Sequence, residues 1–463
     1  MKRIYPFFAF LFISSFSFAQ YENFDLSKYK LPEIKRHQLD FNFSYNNNNQ
    51  KYDNDDTPDH SYFDLDNDLR LDYSFDRNTP RVQSNGWGSL STTMTLDREK
   101  YEDKEKVKDD YFNFRIDAGF QKRIYPKKDD RWFLLWSPNL NVSNSLNRDQ
   151  DFLDYNNNQI EKYKFRYLIF QPRLNVGGGF GRIEQTSDAR RAIYIVEDLY
   201  RKDKLNRLPD EDELIVIANR VAELRNQRFF DARLRHIYEM ESLDSLLNTM
   251  ELVSDNDIGY FTSLNDMWSY GHESRYSGTR LQAVVVGQLD YRFVKEKTVT
   301  DDYENSSVTI EDDNTDYNEN LQFGLALSSY KPIGLKWQRY LFANVNASNY
   351  FNDSNVNAWS TDFNRFSGNI SYGYDWFFNT RTYASFGVNG HYSRYDYDEE
   401  ETNRYDSNSF YTGISGSLNY YFSPRLRASF RINSNYNWYQ NSDSSYDKQF
   451  RFGSSASLNY AIF

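Results

Sequence analysis

The chain has 463 residues, a formal net charge of −12 and no cysteine. The acidic balance excludes a nucleic-acid partner of the usual basic kind. The missing thiols exclude disulfides, thiolate metal sites, cysteine nucleophiles and a lipidated N-terminal cysteine. Hydrophobic residues reach only 39% while aromatics reach 18%, unlike a soluble core but natural for strands with one polar and one apolar face bordered by aromatic rings.

Residues 1–19 read as a secretory signal: Lys2 and Arg3 form the positive end, an apolar run covers Phe7 to Phe18, and Ala19 and Gln20 mark the cleavage site. The run is short for a spanning helix and is interrupted by Ser14, Ser15 and Ser17. Residues 20–36 are expected to form a periplasmic segment or a plug that folds into a lumen.

Strands of alternating polarity are predicted near 37–47, 66–76, 86–97, 110–122, 131–144 and 161–182, then near 278–294, 319–330, 338–350, 363–377, 382–396, 408–422, 425–440 and 448–463. In the 110–122 strand, Phe112, Phe114, Ile116, Ala118 and Phe120 form one face, and Asn113, Arg115, Asp117 and Gln121 the other. From 425 onward, Leu426, Ala428, Phe430, Ile432, Tyr436 and Trp438 oppose Arg427, Arg431, Asn433, Asn435 and Asn437. The phase changes near Leu168 to Phe170, which predicts a bulge. About fourteen strands, within a range of about 12–16, satisfy the even number that single-chain barrels require.

Connectors alternate in length. Asn47 to Leu65, Arg98 to Asp109, Leu146 to Ile160, Lys295 to Glu319, Phe351 to Asp362 and Asp396 to Ser407 read as long outer loops, and Asn379-Thr380-Arg381 and Ser423-Pro424 as short turns. This parity places both termini and the interruption at 183–276 on the periplasmic side.

The interruption follows helical rules. Ala189, Ala192, Ile193, Val196, Leu199 and Tyr200 recur at helical spacing after a cap at Thr186 or Ser187. Pro209 and the acids Asp210 to Glu213 open a second helix that carries Leu214, Ile217, Ala218, Val221 and Leu224. A third is predicted over about 231–247 and a fourth over about 258–268. The expected fold is an all-β transmembrane antiparallel β-barrel, its strands in 37–182 and 277–463, with an inserted periplasmic α-helical domain.

The signal, the alternation, the connector parity and the final Leu458-Asn459-Tyr460-Ala461-Ile462-Phe463 resemble Gram-negative outer-membrane β-barrel proteins. The strand number also resembles monomeric uptake channels, including the long-chain fatty-acid transporter family. The resemblance implies an integral outer-membrane location, outer-membrane lipid as surroundings, and recognition of Leu458, Tyr460, Ile462 and Phe463 by the barrel-assembly machinery. Phe463 stands out of phase with Leu458, Tyr460 and Ile462, a departure from the family's terminal strand.

The lumen candidates are Arg70, Asp72, Arg115, Asp117, Arg280, Asp290, Arg292, Asp375, Arg427 and Arg431. They either form opposed rows that orient a polar solute or pair with one another to stabilise the wall. Tyr411 and Tyr421 are the lumen aromatics suited to stacking on a sugar. Asp53 to Asp59 and Glu311 to Asn314 read as acidic surface loops without an EF-hand pattern. No metal or cofactor is expected. His391 and Ser393 share a face, but no G-x-S-x-G or H-E-x-x-H motif accompanies them. An outer-membrane hydrolase is the less favoured class. The favoured function is a channel or export barrel for a polar solute, whose helical domain at 183–276 docks a periplasmic protein or covers the mouth. The alternative is a scaffold in which the barrel anchors that domain.

Overall fold

The computed structural model describes residue 21 and residues 24–460, apart from 55–56, 102–106, 129, 155–158, 228–231, 271–273, 302–306, 355–362, 398–405, 424–425 and 442–445. The expected signal at 1–19, and Ile462 and Phe463 of the terminal assembly signal, lie outside the described residues.

Among the described residues fourteen strands form one antiparallel sheet in chain order. The first six are β1 (Ile34–Asn54), β2 (Thr57–Thr79), β3 (Val82–Tyr101), β4 (Val107–Ile124), β5 (Trp132–Asp154) and β6 (Gln159–Gln185). Four helices follow: α1 (Ser187–Arg201), α2 (Glu211–Asn226), α3 (Ala232–Thr249) and α4 (Ile258–Ser269). The sheet resumes with β7 (Tyr276–Asp301), β8 (Ser307–Ile333), β9 (Trp337–Ser354), β10 (Phe363–Phe377), β11 (Thr382–Tyr397), β12 (Ser407–Ser423), β13 (Leu426–Asn441) and β14 (Tyr446–Tyr460).

Strand number and helical insertion agree with the sequence reading, but four expected long loops do not. Asn47 to Leu65, Arg98 to Asp109, Leu146 to Ile160 and Lys295 to Glu319 are mostly strand, paired outward almost to the connectors. Polar residues such as Asn46 to Asn49 pair in a ladder once a neighbour supplies their backbone bonds, so their low strand propensity is overridden. Glu311 to Asn314 lie within β8 rather than in a loop.

The predicted bulge at Leu168 to Phe170 is absent. β6 keeps one register with β5 and β7 through that stretch. The apolar residues that broke the pattern, Tyr163, Phe165 and Tyr167, face inward and stack ring on ring with centroids 6.3 Å apart. The backbone irregularity comes later, where Gly181 and Gly278 take φ of +100° and +119°, a region open to glycine and strained for other residues.

The outer face is an apolar band. Exposed Leu168-side residues of β6 continue through Phe170, Leu174, Val176 and Phe180, beside Trp132, Leu134 and Trp136 of β5 and Leu281 and Val285 of β7. From Leu168 to Phe180 a strand tilted by about 40° rises roughly 30 Å, the thickness of a bilayer's hydrocarbon core. Contiguous exposed apolar surface on this scale matches the lipid-facing band of a membrane barrel.

The buried core lies at one end of the sheet, not between sheet faces. Ala192, Ile193, Val196 and Leu199 of α1, Leu214, Ile217 and Val221 of α2, Leu243 and Leu247 of α3 and Leu264 and Trp268 of α4 pack together. Phe24, Leu26 and Tyr29 from the N-terminal stretch join them, as does Leu335 from the β8–β9 turn. The 20–36 segment thus contributes to the helical core. At roughly 1.5–3 kcal/mol for each fully buried large apolar side chain, this cluster gives the helical unit a core of its own.

β1 and β14 are the sheet's edges. Among the described residues β1 pairs with β2 and β14 with β13, and neither pairs with the other. They run antiparallel, because a fourteen-strand meander ends in the opposite sense to its start.

Candidate functional site: the lumen and its helical base

Successive inner-face residues along a strand are two positions apart, and this spacing organises the lumen. Arg70 donates to Asp72 at 2.7 Å, Arg115 to Asp117 at 2.5 Å, and Arg292 to Asp290 at 2.9 Å. Arg394 and Asp396 repeat the arrangement at 2.6 Å, and Arg182 and Glu184 pair likewise. Six of the ten predicted charged residues therefore form three pairs, each within one strand. The spacing of two between an arginine and an aspartate, in either order, was the available sequence signal, since an arginine is long enough to reach a carboxylate two residues away on the same face.

The remaining candidates are dispersed. Asp375 is buried and accepts hydrogen bonds from Tyr383 Oη at 3.0 Å and Gln338 Nε2 at 3.3 Å. Arg427 lies over the Tyr421 ring at 5.8 Å, and Tyr421 in turn meets Tyr270 edge-on at 6.4 Å, at the helical end of the barrel. Arg431 and Tyr411 lie further up the wall, on β13 and β12. His391 Nδ1 is 2.6 Å from Asn369 Oδ1, while Ser393 shares a hydrogen bond with Ser409 at 2.7 Å. The histidine and serine thus have separate partners. Leu458 and Tyr460 are exposed on the outer face of β14.

The base of the lumen is a polar cavity of about 560 Å³ bounded by strand ends and the helical unit. Its lining includes Arg123 of β4, Glu184 of β6, Arg225 of α2, Arg280 of β7 and Tyr330 of β8. Arg123 is buried, donates to Gln121 Oε1 at 2.8 Å and leaves its Nε unpaired. Among the described residues neither Arg123 nor Arg280 has a carboxylate ion-pair partner, whereas Arg225 is held by Asp188 at 2.7 Å. A buried donor without a partner is costly, so the Arg123 Nε, beside the half-buried Arg280, marks the base as a place prepared for polar company.

An apolar cluster stands at the strand ends beside this cavity. Tyr125, Phe133 and Leu135 pack together, and Tyr125 Oη donates to Gln83 Oε1 at 3.0 Å. Gly179 makes room for this cluster. A Cβ there would stand 2.6 Å from the Phe133 ring and 2.2 Å from the Leu281 carbonyl oxygen. The sequence Gly177-Gly178-Gly179 thus serves close packing of β5, β6 and β7.

Latches join the helical unit to strand ends around the rim. Arg275 is fully buried and donates to the carbonyls of Gly334 at 2.6 Å, Trp337 at 2.7 Å and Leu335. Its own N–H donates to Ser187 Oγ at 2.9 Å. Ser187 is thereby spent on β7, and Thr186 occupies the N-cap position of α1 without a side-chain cap bond. Arg381 of the β10–β11 turn pairs with Asp266 of α4 at 2.7 Å and lies over Tyr270 at 4.3 Å. Tyr194 Oη donates to the Phe377 carbonyl at 3.5 Å. Sequence reasoning missed Arg275 because its role depends on a turn sixty residues away.

No protein-family model matches the chain, and no curated protein matches it. Among solved structures, the chain is similar to the translocator domain of autotransporter NalP from Neisseria meningitidis at 10% identity, over 84% of this chain and 88% of that one, with a TM-score of 0.23. It is similar to the P. putida toluene transporter TodX at 8% identity, over 92% and 88%, with a TM-score of 0.25. OmpT, an outer membrane protein of Vibrio cholerae, matches at 10% identity over 92% and 100%, with a TM-score of 0.21. Independently of these, the chain's own even-numbered antiparallel meander, apolar outer band and polar inner face have the architecture of an outer-membrane β-barrel.

Proposed function

We propose that this protein is an outer-membrane transport barrel for a polar solute, with the helical unit closing the periplasmic end. The observation that carries this reading is the polar cavity at the base, where Arg123 and Arg280 face the junction between lumen and helices. A wall of paired charges keeps the lumen wet, and the guanidiniums of Arg123 and Arg280, without a carboxylate partner among the described residues, form a polar station beside the Tyr125–Phe133 cluster. The start of β1 and the end of β14 face the helical end, so the termini are periplasmic in this reading, and the barrel-assembly machinery inserts the chain. The protein acts without covalent chemistry on its cargo.

Glucose flux into proteoliposomes tests this. Unlatching the helical unit by Arg275→Met with Arg381→Ala should raise flux above the wild-type level. Equal flux in both would remove the gating role, and no flux in either would remove transport.

A second reading has its own observation. Leu234 and Ile237 of α3 and Ile258 and Phe261 of α4 are exposed on the helical unit, a surface suited to a periplasmic protein. Loss of a co-purifying partner on replacing these four by serine, with flux unchanged, would favour the scaffold.

A further inference from the structure

Above its apolar band the outer face changes chemistry. In β6, Lys162, Lys164 and Arg166 are exposed on that face, interleaved with Glu161, Tyr163 and Phe165 on the inner one. β5 repeats the segregation, with Arg148 outward between Asn147 and Asp149, and β7 does so with Lys295 and Lys297 around Glu296.

The register lines these cations up. Arg148 is directly opposite Lys164, and Lys164 is directly opposite Lys297. One turn of the ladder lower, Arg166 is opposite Lys295. Like charges directly opposed across strands destabilise a sheet, and the acids that stand opposite the ends of this row, Asp110 against Arg148, Glu311 against Lys297 and Asp313 against Lys295, leave Lys164 and Arg166 facing only cations or neutral residues across their strands. Two of these acids are engaged: Asp110 pairs with Arg98, and Glu311 with Lys295 and, at 3.7 Å, Lys297. Among the described residues Arg148 and Lys164 have no carboxylate partner. Five cations, Lys108, Arg148, Lys162, Lys164 and Lys297, line a hollow of about 310 Å³ together with two acids, Asp110 and Asp149. Directly below it, Leu146, Leu168 and Phe293 open the apolar band.

We propose that this patch binds the phosphate groups of lipids in the leaflet facing it. Acyl chains lie against Leu146, Leu168 and Phe293, and headgroup phosphates reach Arg148, Lys164 and Arg166. Arginine offers a phosphate two parallel N–H donors and lysine a mobile point charge. Cations just beyond an apolar band are the arrangement by which membrane proteins take anionic headgroups. The overall acidity of the chain gives this gathering of outward cations its specificity. The proposal rests on the membrane reading of the outer face and is independent of whether the lumen conducts.

The test uses the full-length mature protein refolded in dodecyl maltoside, with thermal unfolding followed by circular dichroism. Diphosphoryl lipid A should raise the midpoint by several degrees, and phosphatidylcholine or inorganic phosphate should not. Arg148→Gln, Lys164→Gln and Arg166→Gln together should abolish that rise and, by relieving repulsion, leave the lipid-free midpoint unchanged or higher. Arg427→Gln with Arg431→Gln, on the inner face, should keep it. The same rise in the triple variant, or an equal rise with phosphatidylcholine, overturns the proposal while leaving the membrane reading intact. Failure of the protein to insert into vesicles overturns both.

Discussion

Arg275 lays its guanidinium 5.0 Å from the centroid of the Phe377 ring, joining the residue that precedes β7 to the last residue of β10. Arg190 of α1 approaches the same ring at 4.3 Å. The helical unit is thus held to the barrel by cations that pair with aromatic faces and carbonyl oxygens. Burial draws the Arg275 guanidinium down to about 9, but still leaves it charged at neutral pH.

Arg275→Met should loosen this junction. It strands three carbonyls that the guanidinium satisfies, and each lost partner costs about 1–3 kcal/mol. Limited proteolysis should cut within 187–269 at least tenfold faster than in the wild type, with the barrel fragment still intact. Unchanged cleavage would show that the latch carries no energy.

The helical unit should soften in acid through Glu213. Its side chain accepts from Arg207 and from the Asp210 N–H, which hold its carboxyl down at about 2; together with the Asp210 cap on Glu213 N–H at 2.8 Å this completes a capping box at the start of α2. Because the folded pKa is depressed, the contribution is complete above the unfolded value of about 4.3 and is lost as pH falls from there towards 2. Glu213→Gln should flatten the pH dependence of helical unfolding over that window and cost about 1 kcal/mol at neutral pH.

The barrel should close between β1 and β14. Unpaired strand edges in lipid cost several kcal/mol for each stranded backbone group, and β1 and β14 already run antiparallel. Paired residues followed from Ser454 through Ile432, Gly416, Phe386, Tyr374 and Arg339 drift towards the helical end. A stagger of about one residue per strand, which a tilt near 40° imposes, returns the path to Phe41 from Ser454 or Ala456. The chain has no cysteine, so Phe41→Cys with Ser454→Cys or with Ala456→Cys should give a disulfide in one of the two pairs on oxidation. A cross-link in neither would place the seam elsewhere or leave it open.

Gly179→Val should impair assembly. The added Cβ meets the Leu281 carbonyl oxygen, a backbone atom that no rotamer change removes. Overpacking of this kind costs about 1–3 kcal/mol, read as a lower folded yield on a heat-modifiability gel. Gly287, where a Cβ meets nothing within 4 Å, should accept alanine with little loss.

The strand number and the helical insertion were legible because alternation with period two and apolar spacing near four are local properties. Strand ends were not legible: Asn46 to Asn49 and Glu311 to Asn314 have loop composition, and only their cross-strand neighbours make them strand. The phase break at Leu168 to Phe170 was real in the sequence but meant an inward aromatic stack, because a polar lumen also tolerates rings. Among site residues, the charges of Arg70, Asp72, Arg115, Asp117, Asp290 and Arg292 could be found by phase, and their pairing by the spacing of two between arginine and aspartate. Arg275 and Arg123 could not be found in this way, since the first depends on contacts remote in sequence and the second on burial at the junction.

Single-channel conductance in a planar bilayer tests the central claim most directly, with the mature protein compared to one lacking 187–269 and to Arg275→Met with Arg381→Ala. A closed helical base over a polar lumen predicts small or intermittent conductance in the intact protein and larger, steadier conductance in both altered forms. Equal conductance in all three, or silence in all three, would contradict it.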